Sequence, residues 1–263
     1  MNKRQKNKII SAVIAAILIL SVNYFRDSLP SLNGGKAKQE TKPIVTTEES
    51  SDTSSDTAGS EQTQVFDLGS IPAYSGSPYV TINGNTPDFT SSELEKAKTS
   101  YKTFSDLDSL GRCGTAEASV GPDLLPKEER GSIGMVKPSG WHTVRYDDLI
   151  SDKYLYNRCH LIAFCLSGEN ANSKNLITGT RYLNVDGMLP FEEKTVKYVE
   201  NTGNHVLYRV TPVFQGNNLV AHGVHMEARS VEDNGAGISF NVYCYNVQPG
   251  ITIDYATGDS HRS

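Results

Sequence analysis

Cysteine is scarce in this chain: Cys113, Cys159, Cys165 and Cys244 are the only ones. Cys159 and Cys165 are too far apart for a C-x-x-C pair, and no second pair stands at zinc-ligand spacing, which argues against a structural zinc. An even number permits disulfides, but four cysteines allow three pairings, so two bridges, one bridge or four buried thiols all remain open. An excess of basic charge is missing too. From residue 66 onward, 17 Lys and Arg face 23 Asp and Glu, which is not the broad positive footprint of a nucleic-acid binder. Between residues 125 and 200 the two signs balance at 10 each, which leaves room for a local basic groove. There is no internal repeat, which excludes a solenoid.

Long apolar runs are absent except at the start. Residues 2 to 8, NKRQKNK, carry four positive charges, and IISAVIAAILILSVNYF follows. A basic flank before about 17 apolar residues is the pattern of a secretory signal or signal-anchor, and no tidy small-residue cleavage site follows it. The expectation is a cytoplasmic tip and anchor over residues 1–26 with the remainder outside the cell, either anchored in the membrane or secreted after cleavage. Residues 27–65, rich in Ser, Thr, Asp and Glu, cannot bury enough apolar surface to offset the entropy of ordering and are expected to form a disordered acidic tether. Residues 66–263 then make one domain.

Within that domain, DFTSSELEKAKTSYKTFSDLD opens with capping hydroxyls ahead of glutamates and predicts a helix of about ten residues. YLYNRCHLIAFCL has strand composition, and GENANSKN reads as a loop. MLPFEEKTVKYVENTGNH predicts a second helix, with Pro190 in the first turn, Glu192 and Glu193 favoured by the dipole, and Gly203 at the end. HVLYRVTPVFQGNNLVAHGVHMEARSV predicts a hairpin about QGNN, and ISFNVYCYNVQPGITIDY adds further strand. The class is α+β with a central antiparallel sheet.

The run from Asn157 to Glu193 concentrates the chemistry. Arg158 and His160 are two apart on a strand, so they project to one face. A guanidinium neutralises phosphoryl oxygens, and an imidazole accepts a proton near neutral pH. Hydrolysis of a phosphodiester needs both. The amide oxygens of Asn175 and Asn184 and the carboxylate of Glu192 are candidate oxygen donors for a divalent metal. Tyr154, Tyr156 and Tyr182 could stack on bases, but aromatic residues beside a strand usually fill the core.

The stretch NRCHLIAFCLSGENANSKNLITGTRYLNVDGMLPFE resembles the core of the DNA/RNA non-specific endonucleases of the ββα-metal type, in particular the secreted and surface DNA-entry-like nucleases of Gram-positive bacteria. The likeness runs over roughly residues 110 to 230 and takes in LPKEERGSIGMVKPSGWH upstream. The resemblance implies a ββα-metal catalytic core in which His160 is the general base and Arg158 contacts phosphate. It implies Asn184 as the protein's metal ligand, with Asn175 nine residues before it. It places Glu192 beside the metal or a metal-bound water, and Arg130, Lys127 and Arg181 as further substrate contacts. It also implies Mg²⁺, or Mn²⁺, as cofactor. The substrate would be DNA, and RNA with it, cut without sequence preference, and DNA-uptake proteins would be partners if uptake is the purpose. Two departures stand out. Asn157 replaces the family's opening aspartate and Cys159 its glycine, so any group orienting His160 from that place is an amide. Two other readings compete: a catalytically silent binding module on the same fold, and a Cys–His hydrolase. His222 and His225 lack a third ligand and read as structural.

Overall fold

Alternation of apolar and polar residues builds the sheet. The computed structural model describes residues 68–263, and the apolar N-terminal stretch and the acidic tether lie outside them. Six strands pair antiparallel: β1 (Tyr79–Thr81), β2 (Tyr101–Phe104), β3 (Ala116–Val120), β6 (Val206–Val213), β7 (Gly223–Ser230) and β8 (Ser239–Tyr245), in the order β1-β8-β7-β6-β3-β2. A separate hairpin joins β4 (Tyr156–His160) to β5 (Leu176–Thr180), with Arg158 opposite Thr178 and His160 opposite Leu176. A short hairpin of β9 (Ile251–Ile253) and β10 (Ser260–Arg262) closes the chain.

One face of the large sheet carries Ala118, Val210, Met226, Ala228 and Val242, each at most 1% exposed. Onto it pack Leu161, Ile162 and Leu166 around α2 (Phe164–Ser167), Ile177 of β5, and Val199 of α3 (Leu189–Thr202). The hairpin that carries the Asn157–His160 run is therefore held over the sheet by its own apolar residues, through burial worth about 25 cal/mol per Å². The opposite face carries a polar row, Glu117–Arg209–Glu227–Asn241, in register across β3, β6, β7 and β8. Arg209 binds Glu117 and reaches Glu93, which ties α1 (Ser91–Lys96) to that face.

Both expected helices form, with altered lengths. Thr90 and Glu93 make a reciprocal capping box at the start of α1. This helix ends after six residues rather than ten, because Tyr101–Phe104 pairs with β3 as an edge strand. Aromatic and β-branched content there favours the ladder over another helical turn. The C-terminus of α3 matches expectation: Gly203, with φ 73°, donates its N–H to Val199 O. Its start differs. Leu183–Met188 forms a π-helical segment that runs straight into α3, and no side chain caps the junction. Segments of this kind are rare and frequent at functional sites. The strand expected over residues 154–166 is confined to β4, after which the chain turns through α2. All four cysteines are free thiols. Among the described residues no helix is long and apolar enough to cross a membrane.

Candidate active site

His160 closes β4 and is 6% exposed. Its Nε2 lies 2.8 Å from the carbonyl oxygen of Asn170, which can only accept, so Nε2 carries the proton and Nδ1 keeps its lone pair. Facing Nδ1 at 3.5 Å is Nη2 of Arg130. Burial lowers the pKa of His160 from its ordinary 6.5, and the Arg130 charge lowers it further, while the Asn170 carbonyl opposes them. The imidazole is thus neutral at pH 7, which is the form that can take a proton. The amide expected to orient it does something else. Asn157 stands three residues before His160 and points to the opposite face of the strand. Its Oδ1 accepts from Asn184 Nδ2 at 3.3 Å.

Asn184 lies in the π-helical segment, gripped by β4. Cys159 donates its S–H to Asn184 Oδ1 at 3.1 Å, and its sulfur also lies 3.4 Å from Met188 Sδ. The thiol fills space that only a glycine diagonally across the hairpin allows: a Cβ on Gly179 would meet Cys159 Cβ at 2.6 Å. Cys159 is fully buried, and burial with the nearby Glu192 carboxyl pushes its pKa well up. Cys165 is likewise pushed up to about 11 by burial. Neither thiol is an activated nucleophile, which removes the Cys–His hydrolase.

Glu192, in the first turn of α3, is 8% exposed. Burial raises its pKa from 4.5 to about 8, and Arg130 only partly opposes this. A carboxyl in this state is a buried acid whose ionisation calls for a further positive charge. Arg130 therefore acts electrostatically on both His160 and Glu192.

The other expected contacts divide. Two of the three guanidinium nitrogens of Arg158 go to backbone carbonyls, Nε to Val136 and Nη2 to Gly134 at 2.8 Å, and the group stacks on Trp141 at 4.0 Å. Arg181 lies 2.6 Å from Asp152 as an ion pair. Lys127 lines a cavity of about 410 Å³ together with Asn170, Phe164 and Lys102. Asn175, which the family resemblance would put among the substrate contacts and whose amide stands among the candidate metal donors, fills neither role. It is completely buried, accepting from Ile162 N and donating to Ile162 O, both at 2.9 Å. It pins the loop that follows His160 and touches no open surface. Asn170 went unsuspected because it contributes a backbone carbonyl, for which side-chain identity gives no signal. His222 stacks on Tyr255 and His225 bonds Asn241, in keeping with structural roles. Among the described residues no cluster of three His, Cys, Asp or Glu could hold a metal.

An antiparallel sheet, a small β-hairpin ending in a buried neutral histidine, a π-helical segment that sets an amide against the same hairpin and a helix whose carboxyl feels the same Arg130 make up the architecture of the ββα-metal nucleases. The family model described as DNA/RNA non-specific endonuclease matches residues 91–232, and the chain belongs to that family. Among solved structures, NucA from Streptococcus agalactiae with magnesium bound is 25% identical with a TM-score of 0.64, the match covering 74% of this chain and 93% of that one. Sda1 nuclease with a bound zinc ion is 25% identical with a TM-score of 0.57, covering 71% of this chain and 96% of that one.

Proposed function

We propose that the chain is a metal-assisted endonuclease that cleaves DNA and RNA without sequence preference outside the cytoplasm. The observation that carries this is the state of His160: a buried imidazole with Nε2 donated to a backbone carbonyl and Nδ1 left as the acceptor beside an arginine. Nδ1 takes the proton of the attacking water. Arg130, rather than the carbonyl-bound Arg158, offers its guanidinium to the scissile phosphate, because it stands at the face of the base where that phosphate must sit. Arg158, stacked on Trp141, holds the 134–136 segment against β4.

The donor set fits a hard divalent cation. Asn184 Oδ1 and the Glu192 carboxyl would be its oxygen ligands, and the raised pKa of Glu192 marks a buried acid that ionises when a cation sits beside it. Mg²⁺, or Mn²⁺, held there would supply Lewis-acid polarisation and charge neutralisation at the phosphate. The Asn157 and Cys159 side chains hold the Asn184 amide in place for this, whatever the departure from the family's aspartate and glycine. The magnesium and zinc of the related structures support a divalent ion and do not choose between them.

Export rests on the basic-then-apolar N-terminus, with residues 1–26 as anchor, 27–65 as tether and 66–263 as the nuclease domain. Protease shaving of intact cells separates an anchored domain from a released one, and an anchored domain is a candidate for pairing with DNA-uptake proteins. The activity test is incubation of the full-length protein with supercoiled plasmid and with a structured RNA, in Mg²⁺ and in EDTA. The expected result is metal-dependent loss of both substrates. Intact plasmid under every divalent ion tried would favour the silent binding module.

A further inference from the structure

A second cavity, of about 310 Å³, lies along β4 and is lined by Trp141, Asp152, Tyr154, Tyr156, Asn157 and Arg158, with Thr143 at its edge. Tyr154 is one of the few large side chains left open, 44% exposed, with the Arg145 guanidinium 5.3 Å from its ring centre. Its neighbour Tyr156 is buried and bonds Gly258 O, so of the two only Tyr154 is offered to solvent. Trp141 also lines the cavity, and its ring carries the Arg158 guanidinium. Three aromatic residues, of which Tyr156 is buried, and a planar cation thus border one small cavity. Its volume is at the lower end of the ~300–1,000 Å³ usual for ligand pockets, which suits a single nucleoside and excludes a duplex.

Position gives the cavity its meaning. Arg158 is two residues from His160, a distance of about 6.6 Å along a strand, comparable to one backbone step of an extended polynucleotide. Charge gives it a reason. The domain is acidic, 17 Lys and Arg against 23 Asp and Glu, so counterion release alone grips a polyanion weakly. Stacking on aromatic faces does not depend on net charge and tolerates any base.

We propose that this cavity is a subsite for an unpaired nucleobase of the substrate strand, one nucleotide from the phosphate at His160, with Tyr154 and Trp141 as its walls. The inference rests on the nuclease reading for its register. It makes the enzyme favour single-stranded or locally opened nucleic acid without base specificity.

Trp141 is the only tryptophan of the chain and reports on its own cavity. The test titrates the full-length protein, in EDTA, with a single-stranded hexanucleotide and with the same backbone lacking bases, following tryptophan emission. Base-bearing strands are expected to quench emission and to bind roughly 5- to 100-fold more tightly than the abasic strand. Tyr154→Ala should lose most of that preference, and Tyr154→Phe should keep it. Equal binding of the two strands by the wild type, or an undiminished preference in Tyr154→Ala, overturns the proposal. Plasmid cleavage in Mg²⁺, run in parallel, separates the two claims. Cleavage without any base preference sinks the subsite alone, whereas base preference without cleavage sinks the nuclease reading and leaves a nucleobase site.

Discussion

Glu192→Gln should make the domain more stable while making the enzyme worse, and its size can be worked from the structure. The carboxyl titrates at about 8 in the folded chain against an ordinary 4.5, because burial disfavours the anion more than Arg130 favours it. A folded-state pKa above the unfolded one means that the folded protein holds the extra proton. The associated stability is complete below pH 4.5 and drains away as pH rises through about 8. Each pH unit inside that window costs about 1.4 kcal/mol. By pH 7 the loss is about 3 kcal/mol, and it levels off near 5 kcal/mol above pH 8. Glutamine cannot ionise and is spared this. For a domain of this size 1 kcal/mol moves the melting temperature by about 2–4 °C, so the variant should melt roughly 10 °C higher than wild type at neutral pH. At pH 5 the gap should nearly vanish. Calorimetric melts in EDTA from pH 5 to 9 are the assay. Mg²⁺ should raise the wild-type melting temperature most at high pH and barely move the variant. Parallel curves for the two proteins across the whole range would refute the buried, uncompensated carboxyl.

Three further outcomes follow from the same packing. Asn175→Ala removes both bonds to Ile162, leaving the buried N–H of Ile162 unpaired and its C=O with only a long contact from Ser167 Oγ, which should cost about 1–3 kcal/mol in denaturant unfolding. An unchanged midpoint would contradict the pinning role. The Tyr208 hydroxyl is buried without a partner, so Tyr208→Phe should stabilise by about 1 kcal/mol, and a destabilised variant would reveal a bond to that oxygen. Because the lowered His160 pKa reflects a base that works when neutral, kcat/KM should fall only as pH drops below 6.5, with a plateau through neutrality. An acid limb centred above pH 7 would assign the base elsewhere.

The candidate site is nearly contiguous in the sequence. β4, its loop, β5, the π-helical segment and the start of α3 occupy one run, so a family resemblance carried by that run could mark His160, Asn184 and Glu192 as candidates. Gly203 and the Thr90–Glu93 box likewise act locally, and both form as expected. What failed depends on contacts between distant segments. Leu176–Thr180 went unassigned because it is buried on both faces and shows no alternation. Asn175 has the spacing of a site residue, yet its partners are backbone atoms 13 residues away in sequence. The carbonyl of Asn170, and the docking of Val136 and Trp141 on Arg158, leave no mark in residue identity. Asn157 faces Asn184 instead of His160 because strand alternation sets its side.

The central claim is that His160 is the general base of a metal-assisted nuclease, and plasmid nicking by His160→Ala tests it most directly. Wild type in Mg²⁺ is expected to nick and then degrade supercoiled DNA. His160→Ala, folded to the same melting temperature, should lose at least about 100-fold of that rate, the lower end of what a positioned acid–base group contributes. Asn184→Ala should lose activity beside it and bind Mn²⁺ more weakly. A His160→Ala protein that nicks plasmid at the wild-type rate would contradict the account.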